Sequence, residues 1–301
     1  MKTVRSVAEL RESLAPTRRH GRTIGLVPTM GAFHAGHLSL MRKARHDCDT
    51  VVVSLFVNPT QFGPAEDLER YPGDLERDAA IAERERVDVL FTPSREEMYR
   101  PGHRTTIEVA ELGETLCGAP GRRGPAHFSG VATVVTKLLN ICQPDVAYFG
   151  AKDFQQAVVI DRLVKDLDIP VRIDVCPTVR DADGLALSSR NAYLSPSERR
   201  RALALSRALK AAQEVVDRGA ETADEIVEAA RRELDLAEVE PEYLEVVSAK
   251  DLEPLDEIAG REVLIAVAAR IGRARLIDNA VIAVGAGGRR TERAVATVQE
   301  G

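Results

Sequence analysis

The 301-residue sequence has no C-x-x-C pair, no apolar run of membrane length, no basic excess and only six histidines. Each shortage removes a class of protein. The four cysteines, Cys48, Cys117, Cys142 and Cys176, stand far apart, which disfavours structural zinc and a secreted disulfide framework. Reduced, buried thiols are expected instead. The opening stretch MKTVRSVAELRESL interrupts its apolar residues with charges and does not read as a signal peptide. No segment reaches the roughly 20 apolar residues of a membrane helix. A net charge of −6 speaks against a nucleic-acid partner, which normally needs a basic surface. No G-x-G-x-x-G follows the first apolar run, which excludes a dinucleotide dehydrogenase. The expected protein is cytoplasmic, with neither nucleic acid nor membrane as partner.

At 44% hydrophobic and 29% charged residues, the chain has an ordinary globular composition and length enough for two domains. Apolar, β-branched runs at Thr23–Thr29, Thr50–Val57, Asp88–Pro93, Asp145–Gly150 and Val171–Pro177 read as strands. Their near-continuous hydrophobicity suggests burial on both faces, as in a parallel sheet. Helical patterns alternate with them, the clearest placing Val131, Val134, Val135, Leu138, Leu139 and Cys142 on one stripe. This is the pattern of a Rossmann-like, doubly wound α/β domain over residues 1–184. Ligands of such domains bind beyond the carboxyl ends of the strands.

A second unit follows. Ser195, Pro196 and Glu198 fit a helix N-cap, a first-turn proline and a capping-box partner, and Gly219 fits a stop. A second helix near Ala223–Leu234 and three strand-like runs suggest a smaller α+β domain over residues 185–284. Residues 285–301, Gly-rich and then polar, read as a mobile tail.

Two of the six histidines fall three residues apart in VPTMGAFHAGHLSLMRKA, at the junction of the first strand and a helix. A helix start offers unpaired N–H groups and partial positive charge, and Gly31 and Gly36 let backbone approach an anion. His34 and His37 could donate hydrogen bonds to phosphoryl oxygens there. The bare H-x-x-H also fits two exposed loop residues, or less well zinc, for which no nearby Cys, Asp or Glu extends the set. Other strand ends add weight. FVNPTQF offers Asn58 and Gln61, FGAKDFQQ offers Lys152, Asp153, Gln155 and Gln156, and DGLALSSRN offers Ser188, Ser189 and Arg190. Cations and hydroxyls of this kind suit phosphate.

Together PTMGAFHAGH, FVNPTQF, HFSGVATVVTKL, FGAKDFQQ and DGLALSSRNAYL resemble the pantoate–β-alanine ligases, and ARLIDN resembles that family's C-terminal signature. One motif alone would indicate only the wider HIGH-type nucleotidyltransferases. The resemblance implies an AMP-forming ligase that adenylates pantoate with MgATP and passes the acyl group to β-alanine. It implies an ATP site formed by Met30, Gly31, His34, Gly36 and His37, with Gly150, Lys152, Asp153, Val179, Leu187, Ser188, Ser189 and Arg190. His34, His37, Lys152 and Arg190 would be its catalytic residues, and Gln61 and Gln156 would bind pantoate and β-alanine. No protein-only metal site is implied; magnesium would come with ATP, the second domain would close over the nucleotide, and the assembly would be a homodimer.

Four positions depart from the family pattern. Phe33 replaces a common leucine, Ala35 and Ala151 replace usual glutamates, and Gly124 stands where an arginine is expected, with Arg123 one residue earlier. Two rivals are weaker. One is another nucleotidyltransferase with the same histidine pair, such as an aminoacyl-tRNA synthetase relative or a cofactor adenylyltransferase. The other is a non-catalytic nucleotide-binding module, which would not need both histidines, Lys152 and the Ser-Ser-Arg cluster together.

Overall fold

In the computed structural model, which describes residues 1–63, 68, 71 and 73–285, the apolar runs become strands. They are β1 (Lys2–Val4), β2 (Ile24–Thr29), β3 (Thr50–Leu55), β4 (Val89–Phe91), β5 (Val146–Gly150) and β6 (Arg172–Cys176). All pair in parallel, in the order β1-β4-β3-β2-β5-β6. Five match the expected runs with shorter ends, while β1 was not anticipated. It is a three-residue edge strand with only Val4 buried, too short to show a period.

Helices α1 (Val7–Arg19), α2 (Ala35–Asp47), α3 (Leu75–Arg84), α4 (Arg95–Met98), α5 (Pro125–Cys142) and α6 (Phe154–Asp166) connect the strands. α2 and α3 cover one sheet face, against Val27, Val51, Val53 and Leu90. α1, α5 and α6 cover the other, against Leu26, Val52, Ala147 and Phe149. Burial on both faces explains why these strands are apolar throughout. α5 is buried well beyond its expected stripe, with Ala132, Thr133 and Thr136 also inside. At Gly130 a Cβ would collide with the Thr60 carbonyl, so glycine lets α5 touch the turn at Pro59–Gln61.

The second unit contains α7 (Pro196–Asp217), α8 (Ala223–Leu236), β7 (Pro241–Ser248), β8 (Glu262–Ile271) and β9 (Ala274–Ala283). Its strands form an antiparallel sheet in the order β7-β8-β9. α7 starts with the expected capping box, in which Ser195 and Glu198 each accept from the other's backbone N–H. Along β8 every residue from Val263 to Ala269 is buried. Val263, Ile265 and Val267 face α7 and α8, whereas Leu264, Ala266 and Ala268 pack on Leu116, Val158 and Val159 of the first unit. One central strand thus serves two cores and joins the halves.

All four cysteines are buried and free. Burial pushes the Cys142 and Cys176 thiols up to about 12. None of the described helices is long and apolar enough to cross a membrane. The expected tail lies, beyond Gly285, outside the described residues.

Candidate active site

β2 and β5 are neighbours, yet the helices that follow them cover opposite faces of the sheet. Their carboxyl ends therefore diverge and leave a crevice at the switch point. The loop leaving β2 enters it in an unusual conformation, with Gly31 at φ +89° and Ala32 at φ +53°. Asp78 of α3, 1% exposed, holds this loop from below. Its carboxylate accepts from the Ala32 amide at 2.7 Å and the Phe33 amide at 2.9 Å.

The paired histidines now have a structural reason for their spacing. His34 is the N-cap of α2, and its Nδ1 accepts from the Gly36 amide at 3.2 Å. His37, at the third helical position, accepts the His34 amide on its own Nδ1 at 3.3 Å. This is a capping box in which imidazoles replace the usual hydroxyl and carboxylate. With Nδ1 an acceptor in both rings, each neutral imidazole carries its proton on Nε2. Burial, assisted by the Lys152 cation, pushes His34 down to about 4. Burial and the neighbouring His34 push His37 down to about 3. Both rings are neutral N–H donors at pH 7.

Across the crevice, the turn after β5 places Lys152 with its ammonium 3.8 Å from the Asp153 carboxylate. Asn279 of β9 donates to the Ala151 and Lys152 carbonyls at 3.0 and 2.8 Å. The loop after β6 brings Val179 and Leu187 together, the Leu187 amide donating to the Val179 carbonyl at 3.0 Å. Arg180 forms a bidentate pair with buried Asp278, at 2.6 and 2.9 Å. Beyond it, Ser188 Oγ accepts from the Arg190 amide at 3.3 Å, and Ser189 Oγ lies 3.3 Å from the Tyr71 hydroxyl.

The opposite wall carries Gln61. Buried Asn58 donates to Gln61 Oε1 and to the Gly130 carbonyl, both at 3.1 Å, and accepts from the Tyr99 hydroxyl at 2.7 Å. Asn58 is therefore a buttress that orients the Gln61 amide. His127 Nδ1 donates to the Gln61 carbonyl at 2.7 Å, while its Nε2 accepts from Arg123 at 3.1 Å. Gly124 stands at φ +79°, a conformation an arginine would adopt only with strain, and Arg123 reaches the cleft from one residue earlier. Phe56, Val134, Val135 and Leu138 supply an apolar floor.

One cleft thus gathers Met30, His34, Gly36, His37, Gln61, Gly150, Lys152, Asp153, Gln156, Val179, Leu187, Ser188, Ser189 and Arg190. Gly31 is the exception: it is buried beneath the loop, where an added Cβ would lie 3.0 Å from Asp78 Oδ2. Its contribution is backbone shape, not contact. The adjacent glutamines separate too. Gln155 accepts the Cys117 amide at 3.0 Å and donates to the Leu112 and Thr115 carbonyls, so it ties loops together, although one side of it also borders the cleft. Sequence reasoning missed Asp78 and Arg180, and had Asp278 and Asn279 only as part of the ARLIDN signature, without their contacts; the partners are far away along the chain. Among the described residues, no three His, Cys, Asp or Glu side chains converge as a metal-binding group.

A doubly wound sheet with a helix start, two neutral imidazoles and two cations at its switch point is a Rossmann-like nucleotide-site architecture. The chain belongs to the pantoate-beta-alanine ligase family, whose model matches residues 2–281. It is 51% identical over 285 residues to a pantothenate synthetase of Moorella thermoacetica, covering 94% of this chain and 99% of that one. A crystal structure of pantothenate synthetase from Thermus thermophilus superposes with TM-score 0.87 at 47% identity, covering 93% of this chain and 99% of that one. The pantoate-beta-alanine ligase of Francisella tularensis, complexed with beta-gamma ATP and beta-alanine, superposes with TM-score 0.77. It is 35% identical, over 93% of this chain and 97% of that one.

Proposed function

We propose that the protein condenses pantoate with β-alanine to pantothenate at the expense of ATP, through a pantoyl-adenylate intermediate. The observation that carries this reading is the histidine capping box. It leaves two neutral Nε2–H donors beside the start of α2, opposite Lys152. A carboxylate oxygen of pantoate attacks the α-phosphorus of ATP, and the bond to the β,γ-pyrophosphate breaks. Charge grows on the departing oxygens, and preorganised N–H donors stabilise it without reorganisation. Their neutrality suits them to donation and not to proton transfer, and pyrophosphate leaves as an anion that needs no proton. Lys152 and Arg190 neutralise the phosphates, and Ser188 and Ser189 donate hydroxyl hydrogen bonds.

In the second step the free amine of β-alanine attacks the acyl carbon. The acyl–oxygen bond to AMP breaks, and the amine's surplus proton is released. Gln61 and Gln156 hold pantoate, with Gln61 also near β-alanine, and the apolar floor accepts the carbon skeleton. Arg123, anchored beside Gln61, brings the positive charge expected one residue later in the family pattern. Magnesium would come with ATP and would supply further neutralisation of phosphate charge, with Asp153 as a carboxylate of the cleft that could help hold it. The segment around Ser188–Arg190, at the start of the unit over residues 185–284, closes on the nucleotide. The protein works as a homodimer in the cytoplasm.

The test is stoichiometry. Pantothenate, AMP and pyrophosphate should form in equal amounts, and only when pantoate, β-alanine and MgATP are all present. Formation of ADP and phosphate instead would overturn the adenylate route.

A further inference from the structure

Two adjacent residues of β9 reach both cation-bearing segments of the cleft. Asn279 gives one amide N–H to the Ala151 carbonyl and the other to the Lys152 carbonyl. Asp278, 3% exposed, grips Arg180 through both terminal guanidinium nitrogens, and Arg180 in turn donates to the Gly184 carbonyl at 3.1 Å. Arg180 also bridges to Ala186, closing the loop that leads into Ser188–Arg190. The Asn279 backbone N–H donates to Asp278 Oδ1 at 2.9 Å, so the two grips are coupled at adjacent strand positions.

Adhesion between the halves does not need this polar pair. Leu264, Ala266 and Ala268 of β8 already bury an apolar face against Val158 and Val159. Nondirectional burial holds surfaces together but fixes no torsion. Two donors on two successive carbonyls, and a bidentate carboxylate on a guanidinium, do fix orientation. We infer that Asp278 and Asn279 are positioning residues, through which the second unit sets Lys152 and the Ser188–Arg190 segment against the phosphates. The inference rests on the reading of the cleft as the ATP site. It makes the second unit part of the nucleotide machinery and not merely a cover.

The experiment uses the full chain with Asn279→Ala. Pantoate-dependent exchange of labelled pyrophosphate into ATP is followed against ATP concentration, and overall turnover against β-alanine. Loss of two modest hydrogen bonds should raise the KM for ATP about tenfold and leave the KM for β-alanine within about twofold. The melting temperature without nucleotide should change little, and Asn279→Gln, which keeps the donors, should recover part of the loss. A folded Asn279→Ala protein with an unchanged KM for ATP would overturn the inference. Should that variant fail to fold, Asn279→Ser, with a single hydroxyl donor, carries the same comparison. Wild type without any exchange would remove the ATP reading itself, an outcome distinct from a normal wild type beside a normal variant.

Discussion

His34 and His37 each commit Nδ1 to a backbone amide and keep a proton on Nε2. That arrangement carries a cost that shows with pH. Their folded values, about 4 and about 3, lie below the ordinary 6.5 of an unfolded histidine. As pH falls through 6.5, the unfolded chain binds protons that the folded chain refuses, so stability falls with it until the folded values are reached. In His34→Asn the side-chain oxygen still caps α2 but does not titrate. Urea unfolding at pH 7.5 and 5.0 should therefore show a smaller acid loss in His34→Asn than in wild type. Equal losses in both would mean that His34 is not held neutral.

The loop between β2 and α2 has its shape from α3. Asp78 reaches back along the chain to two amides around a left-handed alanine. Asp78→Asn replaces one acceptor by an N–H facing an N–H, which should destabilise the protein by about 1–3 kcal/mol. Nucleotide binding should weaken as well, because the loop sets His34; urea melts and titration with ATP check the two effects. This contact was invisible in the sequence. Within LERDAAIAER one aspartate looks like any other charge on a solvated face. The strands other than β1, the capping box of α7 and the clustering at strand ends were legible, because periodicity and local spacing record them. His34 and His37 were found, but not as a capping box, since a histidine in place of the usual glutamate hides the pattern. The helical phase does not tell Gln155 from Gln156, because Val159 and Ile160, one turn further on, are both buried. Asn279 ends the ARLIDN signature, but nothing local points to its partners, which lie over a hundred residues away.

At the scale of the molecule, the two units share the core through β8, which limits how far they can separate. Closure on ATP is accordingly assigned to the segment around Ser188–Arg190, whose side chains are only partly buried. Bound MgATP should slow proteolytic cleavage near Ser188 in a limited-digestion time course. Equal cleavage rates with and without nucleotide would count against closure there. On the proposed reading, the two cations, the helix start and the imidazoles form a cradle for polyanionic phosphate, and the chemistry needs alignment more than proton transfer.

The most direct measurement is exchange of labelled pyrophosphate into ATP, with magnesium present and β-alanine absent, in wild type and His37→Ala. Exchange in wild type should require pantoate, and loss of the Nε2–H donor should slow it by about a hundredfold or more. Exchange independent of pantoate, or undiminished in His37→Ala, would contradict adenylation at this histidine pair.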